Sequence, residues 1–295
     1  MMSALILCGK TVSKNVKNNL KSEIAILKAK GIVPSLAVVL VGDNPASHVY
    51  VRNKQKAAEE LGIYSVTMQY DASMSQDVLN RLIDELNADE HFHGILVQLP
   101  LPKHLNENEV IQRISPDKDV DGFHPVSVGK LVLGQDTFVS CTPAGVMEIL
   151  KFYNIDPSGK NVVIIGRSNI VGKPMLNLLY QKATYANATV TICHTRTKDI
   201  AAHTKQADIV IVAAGRPHTL TADMVKEGVV VIDVGINRIE DPTTEKGYSL
   251  VGDADYEGLL SKVSAITPVP GGVGPMTIAM LMKNTVISAG RILSK

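Results

Sequence analysis

The sequence predicts an α/β protein of two domains, each built from a parallel sheet with covering helices. Three observations carry this. The chain has 295 residues, too many for one ordinary domain and comfortable for two. Short aliphatic runs of strand length alternate with segments of helical period, and the alternation restarts after Gly159. Hydrophobic residues make up 45% while aromatics make up 4%, with no Trp, so the cores must be aliphatic, as in sheets buried on both faces.

The elements follow in order. Leu36–Val41 reads as a buried strand, and Asp43-Asn44-Pro45 opens a helix that stops near Gly62. Tyr64–Gln69 alternates like a strand, Gln76–Leu86 has helical period, and Gly94–Val97 is another buried strand. Such succession predicts right-handed parallel crossovers. From Gln98 to Pro125 the chain is charged and holds Pro100, Pro102, Pro116 and Pro125, so little of it can stay regular for long. Thr142-Pro143 reads as an N-cap followed by Pro at the first helical position, with a helix over Pro143–Tyr153 bridging two domains. Asn161–Ile165, Thr189–Cys193, Asp208–Val212 and Val229–Asp233 are strands, with a helix over Lys173–Tyr180 and short helices elsewhere between them. Pro268–Pro275 is a Gly/Pro loop, and Met276–Leu293 is a final amphipathic helix.

Bulk properties exclude several classes of function. With 30 basic and 29 acidic residues the net charge is +1, which implies neither a nucleic-acid partner nor an anionic membrane. No apolar stretch approaches a membrane span, and the apolar run in MMSALILCGK is too short for a signal peptide. Cys8, Cys141 and Cys193 are odd in number and widely spaced, with no C-x-x-C, which fits a reducing, cytoplasmic compartment rather than a disulfide framework or zinc site. Cys141 and Cys193 read as small buried hydrophobes. His91-Phe-His93 has no nearby Cys and reads as structural, so no metal is expected.

Gly166-Arg167-Ser168-Asn169-Ile170-Val171-Gly172 lies where a dinucleotide fingerprint belongs, after a strand and before a helix. Ser168 replaces the second Gly and a Gly falls one place late, at Gly172. A tight turn at Gly166 would expose free N–H groups and the positive end of the helix to a pyrophosphate. The second strand ends in His194-Thr195-Arg196-Thr197, with no carboxylate for ribose hydroxyls. Arg196, helped by Arg167, is suited to a 2′-phosphate, which favours NADP over NAD. An ordinary strand–turn–helix with solvated arginines explains the same residues.

Three polar groups in the N-terminal half stand beside apolar runs. Tyr50 and Lys54 share one helix face at i and i+4; a phenol there can stack on a flat heterocycle, and an ammonium taken out of water suits acid–base work. Gln98 follows the strand GILV at its carboxyl end, where ligands bind in open sheets. Asp117-Lys118-Asp119-Val120-Asp121-Gly122 opens like a calcium loop, but its twelfth position is Val128 where a bidentate Glu is required. One carboxylate could instead pair with the amino and ring N–H groups of a pterin-like heterocycle. Asp121, beside Gly122, is the choice, and the other two are expected to be solvated.

These segments, YVRNKQKAAEELGI, GILVQLPLP, PDKDVDGFHP, CTPAGVMEIL, VVIIGRSNIVGKPM and TPVPGGVGPMTIAMLM, strongly resemble the bifunctional methylenetetrahydrofolate dehydrogenase/methenyltetrahydrofolate cyclohydrolase family across essentially the whole chain. The resemblance implies an N-terminal α/β catalytic domain and a C-terminal Rossmann-like dinucleotide-binding domain with a cleft between them. The folate domain would be discontinuous, 1–142 plus 276–295, with 143–275 for the cofactor. It implies Lys54 as the central catalytic residue, with Tyr50 on the folate ring and hydrogen-bonded to the Lys54 network. Gln98 would set Lys54, and Asp121 would anchor the pterin. Val97, Leu99, Pro270, Gly271 and Gly272 would line the substrate. Gly166, Arg167, Ser168, Ile170, Val171, Gly172, Thr195, Arg196, Ala214, Gly215, Ile236 and Thr277 would meet NADP. It also implies a homodimer through the cofactor domain. Two rivals stand beside it: a shikimate-type dehydrogenase of another small substrate, and a non-catalytic dinucleotide-sensing protein. The cis or trans state of Leu99-Pro100, Leu101-Pro102 and Val269-Pro270 is open at this level.

Overall fold

The structure, a computed structural model, describes residues 4–245 and 247–294. In chain order the elements are β1 (Leu5–Ile6), α1 (Gly9–Ala29), β2 (Ser35–Val41), α2 (Pro45–Leu61), β3 (Tyr64–Tyr70), α3 (Gln76–Ala88), β4 (Gly94–Val97), α4 (Glu107–Arg113), α5 (Pro125–Val132) and α6 (Cys141–Phe152). There follow β5 (Asn161–Ile165), α7 (Gly172–Tyr180), β6 (Thr189–Cys193), α8 (Ile200–Thr204), β7 (Ile209–Val212), β8 (Val230–Asp233), β9 (Asn237–Glu240), β10 (Tyr248–Val251), α9 (Tyr256–Leu259), β11 (Ala265–Ile266) and α10 (Val273–Arg291). None of the described helices is long and apolar enough to cross a membrane. The chain divides into two compact units, residues 14–141 with 278–295 and residues 1–13 with 142–277.

The first unit holds a parallel three-stranded sheet in the order β3-β2-β4. Central β2 (SLAVVLV) is buried at every position, which is why it reads as an unbroken apolar run rather than an alternation. α2 starts where Asn44 accepts from the N–H groups of Ala46 and Ser47, with Pro45 in the first turn, and ends at Gly62, whose φ of 71° is left-handed. The free edge of β4 is covered by the chain near Asp119. Ile95 and Asp119 form a single parallel bridge, and Ile95 N–H donates to Lys118 O at 2.9 Å. Gly94 is required there, since a Cβ would press on the Val120 side chain.

The second unit holds a six-stranded parallel sheet, β1-β11-β8-β7-β5-β6, with a separate antiparallel β9–β10 ribbon. β5 lies between β6 and β7, so the strand order reverses there and leaves the crevice at the strand carboxyl ends where dinucleotides bind.

Several expectations differ in detail. Residues 1–13, expected with the N-terminal half, belong to the unit of the six-stranded sheet. Leu5 donates to Ser264 O at 2.9 Å and Leu7 to Ile266 O at 2.8 Å, and a two-residue strand has no pattern of its own to reveal this. α6 begins at Cys141, so Thr142 is inside the helix rather than its cap. Pro143 still lies in the first turn, where no intrahelical N–H bond is lost. The Pro-rich segment holds α4, capped by Asn106. The N-terminal helix α1 carries no expectation above, although Val12, Val16, Leu20, Ile24 and Leu27 recur at helical spacing and all are buried.

Candidate active site

In the first unit, α2 carries Lys54 on the face that also buries Val51, Ala57, Ala58 and Leu61. Lys54 is 8% exposed, which is unusual for a lysine, and it forms no salt bridge among the described residues. Its Nζ donates to Gln98 Oε1 at 3.0 Å. Gln98 directly follows β4, and its Nε2 donates to Leu99 O at 2.6 Å, so the amide is locked with its oxygen toward Lys54. Leu99-Pro100 is cis, as is Val269-Pro270; Leu101-Pro102 is trans.

Asp121 completes the cluster. Burial pushes its carboxyl above the ordinary carboxylate value, and the nearby Lys54 charge pulls it back. Cys141 Sγ lies 3.8 Å from Asp121 Oδ1 and 3.6 Å from Val120 O, and burial followed by the Asp121 charge drives that thiol well above its usual value. Asn284 Nδ2 donates to Val120 O at 2.8 Å and to Val139 O at 3.2 Å, pinning the loop just before Asp121. Asn284 and the thiol's contact with Asp121 lie outside the sequence expectations, because only folding brings positions 120, 141 and 284 together. A small cavity is lined by Val97, Leu99, Asp121 and Phe123 among others, so two of the expected substrate contacts meet the expected pterin anchor. Tyr50, one turn before Lys54, is 44% exposed and makes no hydrogen bond to Lys54 among the described residues.

The three acids of the DKDVDG segment separate. Asp117 is exposed, but Asp119 is 2% exposed rather than solvated. It accepts from Phe123 N–H at 3.2 Å, His124 N–H at 2.9 Å and Ser127 Oγ at 2.9 Å, and so holds the start of α5. Burial is the main cause that raises its carboxyl to about 6, against those hydrogen bonds. Lys118 donates to Leu86 O and Asp89 O at the end of α3. Lys118 and Asp119 therefore anchor the loop on two helices; Asp119 and Asp121 both line the cavity, Asp119 with its oxygens already engaged by Phe123, His124 and Ser127.

In the second unit, Gly166 follows β5 with φ 130°, and a Cβ there would collide with Ala213 O after β7. Gly172 has no room either: a Cβ there would collide with Gly166 O and the Arg167 α-carbon, so the late glycine meets the close approach between helix and strand end. These two glycines leave a backbone cradle that side chains would fill. The expectation of free N–H groups at the start of α7 needs correction. Ser168 Oγ accepts from Val171 and Gly172 at 3.1 and 3.4 Å, and Ser168 O accepts from Lys173 at 3.1 Å. Ser168 thus folds back as the cap, because a serine oxygen reaches the orphan donors that a glycine would leave open. Arg167, Ile170, Thr195 and Arg196 are exposed, and a turn closed by Thr197 Oγ1 on His194 N–H shapes the latter pair. Ala214 and Gly215 donate to Asp253 Oδ2 at 2.6 and 2.8 Å. Ile236 is 50% exposed. Thr277 Oγ1 lies 3.1 Å from Thr142 Oγ1. Gly271, with φ 108°, accepts from Lys10 N–H at 3.1 Å, and Gly272 packs under Gly9, so the Pro270–Gly272 loop is fastened to the start of α1. No group of three or more metal-ligating side chains occurs among the described residues.

Both halves of the chain match models of known domains. Residues 7–121 match the catalytic domain of tetrahydrofolate dehydrogenase/cyclohydrolase, and residues 140–292 match its NAD(P)-binding domain. The chain belongs to the tetrahydrofolate dehydrogenase/cyclohydrolase family. It is 56% identical to the bifunctional protein FolD of Bacillus subtilis over 99% of this chain and all of that one. It is 57% identical to the FolD of Chlorobium phaeobacteroides, over 97% of this chain and 98% of the other. Among solved structures, the bifunctional FolD of Campylobacter jejuni shares 52% identity with a TM-score of 0.91, covering 98% of this chain and 100% of that one. The Trypanosoma brucei enzyme, solved with NADP and an inhibitor, shares 38% identity with a TM-score of 0.93 over the full length of both. Full-length membership removes both rivals, the shikimate-type dehydrogenase and the non-catalytic sensor.

Proposed function

We propose that this tetrahydrofolate dehydrogenase/cyclohydrolase uses NADP to oxidise 5,10-methylenetetrahydrofolate to the 5,10-methenyl form and then hydrolyses that product to 10-formyltetrahydrofolate. The observation that carries the residue assignment is the hydrogen bond from buried Lys54 to half-buried Gln98, beside Asp121. The dinucleotide, when bound, supplies the hydride acceptor. The fold's part in the oxidation is positioning, since the folate nitrogens stabilise the cation that forms.

The hydrolysis needs proton transfers. Water adds to the methenyl carbon and must lose a proton; the ring nitrogen must gain one as the carbon–nitrogen bond opens. Lys54 Nζ is the group that moves these protons, and Gln98 holds it in place through the locked amide oxygen. Asp121 pairs with the amino and ring N–H groups of the pterin, and exposed Tyr50 stacks on the ring. Val97, Leu99, Pro270, Gly271 and Gly272 contact the substrate. Asp121→Ala is expected to raise the folate KM about tenfold to a hundredfold, the worth of a charge-assisted hydrogen bond pair, with the NADP KM unchanged in initial-rate kinetics. An unaltered folate KM would remove Asp121 from the pterin site.

The cradle at Gly166 and Gly172 fits a dinucleotide, with Ser168, Ile170, Val171, Ala214, Gly215, Ile236 and Thr277 around it. Arg196, with Arg167, is the 2′-phosphate partner. Arg196→Gln is expected to raise the KM for NADP about tenfold and leave that for NAD unchanged, since only NADP carries the 2′-phosphate. Equal effects on both cofactors would refute this. The three free thiols suit a cytoplasmic enzyme. Exposed Ile239 gives the cofactor unit apolar surface for the homodimer that the resemblance implies, which sedimentation tests directly. The decisive assay is NADP reduction with methylenetetrahydrofolate, followed by loss of methenyltetrahydrofolate without cofactor.

A further inference from the structure

Asp253 and Asp233 form a carboxylate pair buried in the unit of the six-stranded sheet, 0% and 3% exposed. The backbone is built around them. A Cβ at Gly235 would occupy the Asp253 carboxyl, and one at Gly252 would occupy that of Asp233. Asp233 ends β8 and accepts from Gly235 N–H at 2.9 Å, Asp253 N–H at 3.0 Å and Ala254 N–H at 2.9 Å, so it fixes where Asp253 stands. Asp253 in turn reaches the turn after β7. Its Oδ2 accepts from both Ala214 and Gly215, its Oδ1 accepts from Asn237 Nδ2 at 2.8 Å, and its main-chain oxygen accepts from Thr219 and Leu220.

Peptide planarity makes this consequential. In a trans peptide the carbonyl points opposite to the following N–H. With the Ala214 N–H aimed at Asp253, the Ala213 carbonyl must turn away from it, and it meets Gly166 at the end of β5. With the Gly215 N–H also aimed at Asp253, the Ala214 carbonyl turns away as well, onto the side of the turn remote from that carboxylate. This turn follows β7 at the point where the strand order reverses.

We propose that Asp253 is a positioning residue for the dinucleotide: by holding two successive N–H groups it presents the Ala214 carbonyl as an acceptor for a hydroxyl or carboxamide N–H of the cofactor. The proposal rests on the assignment of Ala214 and Gly215 to the cofactor site. Only a carboxylate fits, because both of its oxygens face donors. An asparagine would set its own N–H₂ against either the two backbone N–H groups or Asn237 Nδ2.

The test compares Asp253→Asn with Asn237→Ala in the full chain, measuring NADP KM, folate KM and the cofactor-independent cyclohydrolase rate. The proposal expects the NADP KM to rise about tenfold or more in Asp253→Asn, roughly one lost charge-assisted interaction, with folate KM and cyclohydrolase rate unchanged. Asn237→Ala, which frees Asp253 Oδ1 and removes a donor from Gly252 O but leaves Oδ2 on the turn, should move the NADP KM the same way by a smaller factor. An unchanged NADP KM in both variants overturns the proposal. So does parallel loss of both activities and of thermal stability in Asp253→Asn with a silent Asn237→Ala, the pattern of a purely structural residue. If Arg196→Gln and Gly172→Ala also leave NADP binding unaltered, the cofactor assignment itself has failed; if they impair it while both test variants do not, only the role of Asp253 has.

Discussion

Replacing Lys54 by Met is expected to lower the cyclohydrolase rate about a thousandfold, within the range that one positioned acid–base group supplies. Methionine keeps an unbranched, flexible stem among Val51, Ala57, Ala58 and Leu61 but cannot carry a proton or donate to Gln98. The readout is decay of methenyltetrahydrofolate absorbance with enzyme in excess. NADP affinity, measured on the same preparation, should be unchanged, because the cradle lies in the other unit of the chain. Hydrolysis at the parent rate would show that the protons travel elsewhere.

The second large effect concerns stability. Asp119→Ala removes the acceptor for Phe123 N–H, His124 N–H and Ser127 Oγ in a buried place. Orphaned buried donors cost about 1–3 kcal/mol each, so the first unit should lose about 3 kcal/mol or more in denaturant unfolding. The loss should also depend on pH. The folded-state carboxyl sits at about 6, above its unfolded value of 3.8, so the folded protein holds more protons between those values. The contribution of Asp119 is therefore fully present at low pH and declines as pH rises through about 6. The penalty for Asp119→Ala should be about 1 kcal/mol larger at pH 5 than at pH 7. A penalty that grows toward pH 7 would contradict the assigned direction.

The two aspartates of this loop show where sequence reading stops. Asp119 and Asp121 are two residues apart, equally polar, and read alike in DKDVDG. The expectation separated them by the neighbouring glycine alone and placed Asp119 in solvent. What separates them is the bridge to Ile95, beside which the Asp119 oxygens are taken up by Phe123, His124 and Ser127, while Asp121, lining the same cavity, stands near Lys54 and Cys141. The Lys54–Gln98 pairing was closer to legible. Lys54 lies on an amphipathic helix one turn from Tyr50, and Gln98 ends a buried strand, so each position followed from local periodicity. The hydrogen bond that joins them did not, because positions 44 residues apart meet only through the β2–β4 pairing.

Periodicity by itself determined the strands β2, β4, β5, β7 and β8 within a residue at each end, and the helices α2, α3 and α7 within two. Long apolar runs and capping signals are local, and local signals survive without the rest of the chain. The conspicuous motifs determined the family. Only the tertiary structure decided that β1 joins β11, that Ser168 closes the helix end it was expected to leave open, and that Asp253 grips the turn after β7. Each of these is a contact between segments whose own sequence is indifferent to it. A two-residue strand, a serine in a turn and an aspartate after a glycine gain their roles only when a distant backbone group arrives unpaired and must be satisfied.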